Sequence, residues 1–250
     1  MRAVISTNGT LITKEKAEAL KDIGLSYVGV SLDGMEEVND RFRGKQGAFR
    51  QALEGISHCR EAGIKVGLRF TISRRTRGDI PGIFSLLRER RIPRVCFYHL
   101  VYAGRGSRLA AEDLSREQTR REVDRIMDLT RELHRAGHPA EVLTVDNHAD
   151  GVYLYLRLRR EDPDRAERVL ALLRMNGGNS SGHGIGCVSW DGSVYADQFW
   201  RHRSFGDVRQ RPFSEIWTDL SDPLLAGLRD KKARLKGRCA RCRFLDLCGG

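Results

Sequence analysis

The sequence lacks the features that mark membrane-bound, secreted or nucleic-acid-binding chains. No apolar run approaches the roughly 18 residues that cross a bilayer. The first residues, MRAVISTNGT, contain no apolar stretch of signal-peptide type. Neither a Lys/Arg-rich arm nor an RNA-binding motif with interleaved aromatic residues stands out. We therefore expect a cytoplasmic protein that binds neither a membrane nor nucleic acid.

The balance of charge is positive, with 44 Lys and Arg against 33 Asp and Glu and a formal net charge of +11. The basic residues are mostly arginine and are spread along the whole chain. Such a surplus suits a polyanionic ligand. It is equally explained by an arginine-rich proteome, and composition does not choose between the two.

The first half of the chain alternates helix-like and strand-like segments. The clearest copies are ALKDIG–LSYVGVSLDG, CREAG–IKVGLRFTIS and RERRIP–RVCFYHLVY. Gly24 and Gly63 stand where a helix C-cap favours a left-handed residue, and Ser115 and Gln118 have capping-box spacing. The near-continuous apolar strands are typical of a sheet covered on both faces. This alternation predicts an α/β fold, with a parallel sheet and helices outside it.

Polar residues interrupt the predicted strands near their carboxyl ends. Thr7 and Asn8 follow the first strand, Ser31 and Asp33 close the second, and Arg69 lies late in the third. Ligands of parallel α/β folds bind at this rim. We interpret the set as a ligand site, although ordinary loop-start polarity explains each residue taken singly.

The composition and the lengths of the predicted elements change after about residue 178, so we predict two domains, 1–178 and 179–250. The second begins with the glycine-rich stretch NGGNSSGHGIGC and continues with short strand-like pieces. Asp191-Gly192 is a typical hairpin turn. The segment DPLLAGLRDKKARLKG predicts a long basic helix.

Two of the six cysteines belong to the predicted core. Cys59 lies on the apolar face of a helix-like segment, and Cys96 lies inside the strand VCFYHLV. Free cysteine behaves as a small hydrophobic residue in such places. Without a secretory signal, a disulfide framework is not expected.

The other cysteines point to a metal. Cys239, Cys242 and Cys248 form a C-x2-C-x5-C run. Three soft ligands at this spacing bind zinc or an iron–sulfur cluster, and spacing alone does not decide between them. Cys187 is the candidate fourth ligand, and the alternative is a cysteine beyond residue 250.

Taken in order, several segments resemble radical S-adenosylmethionine (SAM) enzymes with a C-terminal SPASM/twitch domain. They are STNGTLI, GVSLDG, GLRFTISR, CFYHLVYAGRG and the closing C-x2-C-x5-C. MNGGNSSGHGIGC, YADQFW, RPFSEIW and KGRCARCRFLDLCGG are similar to the NirJ-type family of heme d1 biosynthesis. The resemblance spans essentially the whole chain. It implies a partial parallel (β/α) radical SAM barrel followed by a small α+β iron–sulfur domain.

The resemblance also implies an activity: radical removal of propionate side chains from a siroheme-derived, anionic tetrapyrrole. The implied cofactors are SAM and [4Fe-4S] clusters, and the implied partner is an electron donor such as a flavodoxin or ferredoxin. The alternatives are a related enzyme of siroheme-dependent heme biosynthesis and a peptide-modifying SPASM maturase. A zinc-ribbon binding module is the alternative outside enzymes.

The resemblance assigns site residues but no catalytic residue. Thr7 and Asn8 would border SAM and substrate, Ser31 would contact SAM, and Arg69 would face its methionyl group. One auxiliary cluster is expected rather than two, because Asp197 stands where the SPASM pattern has its next cysteine. The implied ligands of that cluster are Cys187, Cys239, Cys242 and Cys248.

The family's signature C-x3-C-x2-C, which holds the cluster that cleaves SAM, is absent from these 250 residues. The glycine-rich motif that binds the SAM amino group is also absent. We therefore expect a fragment truncated at both ends, beginning near the third barrel strand. We expect it to be unable to cleave SAM by itself and, with its sheet edges exposed, poorly soluble.

Overall fold

In the computed structural model, which describes residues 2–250, the chain divides into two compact units, Met1–Asp146 and Asn147–Gly250. The division falls earlier than the predicted boundary at residue 178. The physical reason is that two helices before residue 178 pack against the last helix of the chain.

The first unit is a five-stranded parallel sheet with helices between its strands. The strands lie in chain order: β1 (Val4–Thr7), β2 (Tyr27–Ser31), β3 (Lys65–Thr71), β4 (Arg94–Tyr98) and β5 (Glu141–Val145). The helices are α1 (Lys14–Asp22), α2 (Glu36–Arg43), α3 (Ala48–Glu61), α4 (Ile80–Arg90) and α5 (Arg116–Arg135), with 3-10 turns at Arg77–Asp79 and Gly104–Glu112. The predicted parallel α/β fold is confirmed.

Local signals set the helix boundaries as predicted. Gly24 and Gly63 adopt φ values of 77° and 73° just after α1 and α3. At the start of α5, the Ser115 side chain accepts from the backbone of Gln118, whose side chain accepts in return from the backbone of Ser115. Such caps satisfy backbone groups that a helix end leaves unpaired.

The two faces of the sheet differ in chemistry. The apolar core lies on the helix-covered face, where Phe97 packs 5.5 Å from Phe70 and 5.7 Å from Phe84 between ring centroids. Cys59 belongs to this core, as predicted. Every strand residue of the core cluster lies on this face. Gly29, Gly67 and Cys96 on the opposite face are buried as well. By strand register, the opposite face, here called the polar face, carries Tyr27, Gly29, Ser31, Gly67, Arg69, Arg94, Cys96 and Tyr98.

The second unit opens with a helical pair, α6 (Ala149–Glu161) and α7 (Pro163–Asn176). The Oδ1 atom of Asp162 caps α7 by accepting from Arg165 N at 3.0 Å. Helix α11 (Leu245–Cys248) packs against the pair, with its Leu247 buried. Phe244, next to α11, meets Tyr155 edge-on at 6.4 Å between ring centroids.

The rest of the second unit is a small antiparallel sheet with short helices. Its strands are β6 (Cys187–Val188), β7 (Ser193–Tyr195) and β8 (Gly206–Asp207), followed by α8 (Phe213–Thr218), α9 (Pro223–Arg229) and α10 (Gly237–Ala240). The predicted turn at Asp191-Gly192 joins β6 and β7, with Gly192 at φ 89°. The prediction of one long basic helix is wrong. Helix α9 ends at Arg229, because the backbone dihedral angles of Asp230 are not helical, and a 3-10 turn (Lys231–Arg234) follows.

Within the described range, 2–250, the structure contains no helix that is both long and apolar enough to cross a bilayer.

Candidate functional site

Ser31 and Arg69 lie side by side on the polar face. They are register partners on β2 and β3, and Arg69 is in turn the register partner of Cys96 on β4. Ser31 ends β2 and Arg69 lies two residues before the end of β3, and parallel sheets bind ligands at this end of their strands. The structure therefore brings together two of the residues that the sequence predicts for a SAM site.

The guanidinium of Arg69 stacks on an aromatic ring rather than pairing with a carboxylate. Its central carbon lies 4.3 Å from the ring centroid of Tyr98. Across residues 2–250, no acidic side chain pairs with it. Gly29 gives its side chain room, because a Cβ at that position would stand 2.9 Å from Arg69 Cδ. A half-buried, stacked and unpaired guanidinium is a ready site for a carboxylate.

A second arginine on the polar face is already neutralised. Arg94 lies over the Tyr27 ring at 5.3 Å and forms an ion pair with Glu141, with 3.2 Å between Nε and Oε2. Burial raises the pKa of both Tyr27 and Tyr98, so both phenols are protonated at neutral pH. The only full positive charge left without an acidic partner on this part of the described face is that of Arg69.

Cys96 is a buried core residue, as predicted. It lies on the polar face beside Arg69 and Tyr98, outside the main apolar cluster. The alternation of β3 could have revealed this face, since Val66, Leu68 and Phe70 would pack inward and leave Gly67 and Arg69 on the other side.

Thr7 and Asn8 lie at the end of β1, which is the neighbour of β2 in the sheet. By register with Val30, Thr7 is on the helix-covered face, where its Oγ1 accepts from Gly9 N at 3.1 Å. The Oδ1 of Asn8 accepts from Thr10 N at 3.2 Å. Both side chains therefore shape the turn after β1.

Asp33 organises the turn after β2, a role that sequence reasoning did not assign. Its carboxylate is buried, accepts from Thr71 N at 2.8 Å and pairs with Arg43 of α2. Its backbone N donates to Asn39 Oδ1 at 3.0 Å. Asp33 thus ties the ends of β2 and β3 together directly beside Ser31 and Arg69.

The predicted metal ligands are free thiols at the surface or near it. Cys239 and Cys242 are exposed and form one turn, with Cys242 N donating to Cys239 O at 3.1 Å. Cys248 ends α11, and Cys187 begins β6. Among residues 2–250, no three Cys, His, Asp or Glu side chains are gathered in a metal-binding arrangement.

Backbone packing around Cys248 is unusually close. Its carbonyl accepts from Asn179 N at 2.9 Å. A Cβ on Gly178 would stand 2.2 Å from that carbonyl group, and a Cβ on Gly249 would stand 2.6 Å from Asn179 N. Lys231 donates to Asn179 Oδ1 at 3.1 Å, and burial lowers the pKa of its ammonium against the opposing influence of Cys248. The glycine-rich segment is thereby fixed against the last cysteine.

The donor chemistry of this region fits an iron–sulfur cluster. Four free thiols, soft ligands for iron, lie in one unit, and a glycine-rich segment packs against one of them, Cys248. Backbone N–H groups of such a segment are the kind that hydrogen-bond to cluster sulfur atoms and tune their potential.

Two family models match the chain. Residues 1–87 match the radical SAM superfamily, and residues 183–243 match SPASM, an iron–sulfur cluster-binding domain. The second match includes Cys187, Cys239 and Cys242 and ends before Cys248. The family prediction and its cofactor classes, SAM and [4Fe-4S] clusters, are confirmed at this level.

Curated relatives align along the whole chain. An Fe-coproporphyrin III synthase of Methanosarcina barkeri is 66% identical, over 100% of this chain and 63% of its own length. A pre-heme d1 synthase of Dinoroseobacter shibae is 42% identical, over 98% and 61%. An AdoMet-dependent heme synthase of M. barkeri is 30% identical, over 100% and 69%. The chain thus spans under two thirds of the first two relatives.

Solved structures share the fold at low sequence identity. Native anSMEcpe with bound AdoMet aligns with a TM-score of 0.70 and 17% identity, over 100% of this chain and 64% of its own. Streptococcus suis SuiB bound to its precursor peptide SuiA aligns with a TM-score of 0.73 and 15% identity, over 100% and 54%. With both family models and the full-length alignments, the chain belongs to the radical SAM superfamily, among the members that carry a SPASM iron–sulfur domain.

Proposed function

We propose that the chain is part of a radical SAM enzyme that modifies an anionic tetrapyrrole on the way to a heme-type cofactor. One observation carries the proposal: 66% identity to an Fe-coproporphyrin III synthase over the full 250 residues. The unpaired charge of Arg69 and the net charge of +11 suit anionic ligands. The peptide-maturase and zinc-ribbon alternatives have no comparable support.

Two tetrapyrrole reactions remain candidates. Removal of propionate side chains from a siroheme-derived substrate in heme d1 biosynthesis has the support of the pre-heme d1 synthase relative at 42% identity. The higher identity of the Fe-coproporphyrin III synthase favours the related enzyme of siroheme-dependent heme biosynthesis. The proposed activity is therefore that of the related enzyme of siroheme-dependent heme biosynthesis. Propionate removal in heme d1 biosynthesis is the competing proposal.

We further propose the roles of the site residues. Ser31 and Arg69 would contact SAM, with the guanidinium of Arg69 holding its carboxylate on the polar face. Thr7 and Asn8 would shape the neighbouring rim through the turn after β1. In this family a reduced cluster supplies the electron that breaks the sulfonium bond of SAM. The proposed ligands of a separate, auxiliary cluster are Cys187, Cys239, Cys242 and Cys248.

The 250 residues alone would not cleave SAM, since they contain no C-x3-C-x2-C. The test is anaerobic reconstitution with iron and sulfide, followed by reductant and SAM. We expect bound iron, a brown colour and no 5′-deoxyadenosine. Formation of 5′-deoxyadenosine would refute this part of the proposal, and a colourless protein that contains only zinc would refute the auxiliary cluster.

Substrate class is tested by binding. The chain is titrated with siroheme and iron coproporphyrin III, each followed by its visible absorption, with a ribosomal precursor peptide as competitor. We expect saturable tetrapyrrole binding that the peptide does not reverse. In parallel, retention of labelled SAM should fall in Arg69→Gln but not in Arg88→Gln, which removes an exposed charge on α4. Peptide binding without tetrapyrrole binding would overturn the proposed function.

A further inference from the structure

A tryptophan and an arginine stack on each other at the hairpin turn of the second unit. Trp190 lies in the turn between β6 and β7 and is 81% exposed. The guanidinium carbon of Arg201 stands 4.2 Å from its ring centroid and 5.6 Å from that of Tyr195 on β7. Tryptophan and arginine are enriched where proteins bind their partners. An exposed ring that an arginine already orients is therefore a candidate binding surface.

The stacked guanidinium keeps most of its capacity for hydrogen bonding. Arginine has five N–H donors, and the Nη2 atom of Arg201 donates to Ser189 Oγ at 2.5 Å. Stacking uses the flat faces of a guanidinium, whereas its donors lie along the edge of the plane. The remaining donors of Arg201 are thus available to a carboxylate.

A second guanidinium is held at the same turn. The Nη2 atom of Arg209 donates to the backbone carbonyl of Trp190 at 3.3 Å. Within residues 2–250, neither Arg201 nor Arg209 forms an ion pair. The carboxylates of Asp191 and Asp207 accept instead from backbone N–H groups, at 3.0 and 2.8 Å respectively. The turn therefore offers two cations without acidic partners beside one exposed aromatic ring.

We propose that Trp190, Arg201 and Arg209 form a binding site for a flat conjugated ring system that carries carboxylates. The indole stacks on the ring system, and the guanidinium groups bind the carboxylates at its edge. The inference rests on the proposed function for the natural ligand, because a tetrapyrrole with propionate side chains has both features. The site belongs to the second unit, whereas Ser31 and Arg69 belong to the first. It is thus additional to the proposed SAM site.

A protein partner suits this surface less well. A tryptophan side chain buries about 150–250 Å², whereas each side of a stable protein interface buries about 800 Å². One ring flanked by two cations matches the size and charge of a small planar acid.

The experiment measures ligand binding to the 250-residue chain by visible absorption and by tryptophan fluorescence. Three compounds separate the two features of the ligand. Iron coproporphyrin III has both the ring and the carboxylates, a tetracationic N-methylpyridyl porphyrin has the ring alone, and citrate has the carboxylates alone. We expect iron coproporphyrin III to bind, and we expect neither of the others to displace it.

The test variants are Trp190→Ala and Arg201→Gln. Each should raise the Kd for iron coproporphyrin III roughly tenfold. The matched controls are Met175→Ala and Arg160→Gln, which truncate an exposed apolar side chain and an exposed arginine on the helices of the same unit. Both controls should stay within about twofold of wild type. Urea unfolding of all four variants checks that they fold alike.

Binding of iron coproporphyrin III that neither test variant weakens would overturn the site and leave the proposed function. Displacement by citrate, or equally tight binding of the cationic porphyrin, would overturn the recognition of ring and carboxylate together. Self-association of the wild-type chain that Trp190→Ala abolishes would replace the ligand site by a protein interface.

A last ligand, 1-pyrenebutyrate, is a planar aromatic carboxylate that is not a tetrapyrrole. Binding of 1-pyrenebutyrate but not of iron coproporphyrin III, with loss in Trp190→Ala, would support the site and refute the tetrapyrrole of the proposed function. Failure of the wild-type chain to bind either compound would overturn both.

Discussion

Arg69 and Tyr98, on neighbouring strands, form a stacked cation–ring pair at 4.3 Å on the polar face of the sheet. Half-buried pairs of this kind contribute about 0.5–2 kcal/mol. The stack holds the guanidinium of Arg69 in place beside Ser31. Stability measurements on Tyr98 variants can therefore report its strength.

Tyr98→Phe should retain the stack, whereas Tyr98→Leu should lose it together with some packing. We expect Tyr98→Phe to unfold in urea within about 0.5 kcal/mol of wild type and Tyr98→Leu to lose at least about 1 kcal/mol. A double-mutant cycle with Arg69→Met isolates the pair from the packing loss. Strict additivity in that cycle would contradict a stabilising stack.

Gly67 allows the Tyr27 side chain to lie across β3. A Cβ there would stand 2.3 Å from Tyr27 Oη and 3.1 Å from Arg94 O. Gly67→Ala should therefore destabilise the first unit by roughly 1–3 kcal/mol through overpacking. Gly78→Ala is the control, since no atom lies within 4 Å of its added Cβ. Equal stability of the two variants would show that the neighbours of Gly67 shift to accommodate an added Cβ without destabilising the sheet.

Sequence reasoning predicted the parallel sheet and its helices because these depend on local signals. Gly24, Gly63 and the Ser115–Gln118 pair end or begin helices through their own backbone geometry. The stacking of Arg69 on Tyr98 depends instead on strand register, which joins residues far apart in the chain. The break at Asp230 was missed because the apolar and basic residues on both sides have good helix propensity.

Asp219 makes stability depend on acid pH. Hydrogen bonds from Ser221, and then from Arg211, lower the pKa of its carboxyl from 3.8 to about 2. The hydrogen bonds to the ionised Asp219 carboxylate stabilise the folded protein fully above pH 3.8. This stabilisation is lost as the pH falls through about 2. Asp219→Asn should thus be less stable than wild type at neutral pH, and the difference should shrink between pH 4 and pH 2.

Chemical unfolding of both proteins across this pH range measures the effect. Asp230→Asn, which neutralises an exposed carboxyl nearby in the chain, is the control for the loss of one negative charge. A constant difference between Asp219→Asn and wild type over the whole range would mean that the carboxyl titrates normally.

Thiol alkylation can map the proposed cluster ligands. In the native apo chain, iodoacetamide should modify the exposed Cys239 and Cys242 first. Cys59 should react last, because burial removes access and raises the pKa of its thiol. Loading with iron and sulfide should protect Cys187, Cys239, Cys242 and Cys248 from alkylation. The alkylation rates of Cys59 and Cys96 should not change. Mass spectrometry of peptides measures the modification of each cysteine. Undiminished labelling of Cys187 after loading would remove it from the ligand set.

The close approach of Gly178 to the carbonyl of Cys248 would link the proposed metal occupancy to the end of α7. A cluster bound at Cys248 would be attached to a backbone that is hydrogen-bonded to Asn179 and packed against the helical pair. Binding that favours the folded arrangement adds its free energy to folding. Iron loading at the C-terminal cysteines would then raise the melting temperature of the α6–α7 pair, which lies about 70 to 100 residues before Cys248 in the chain.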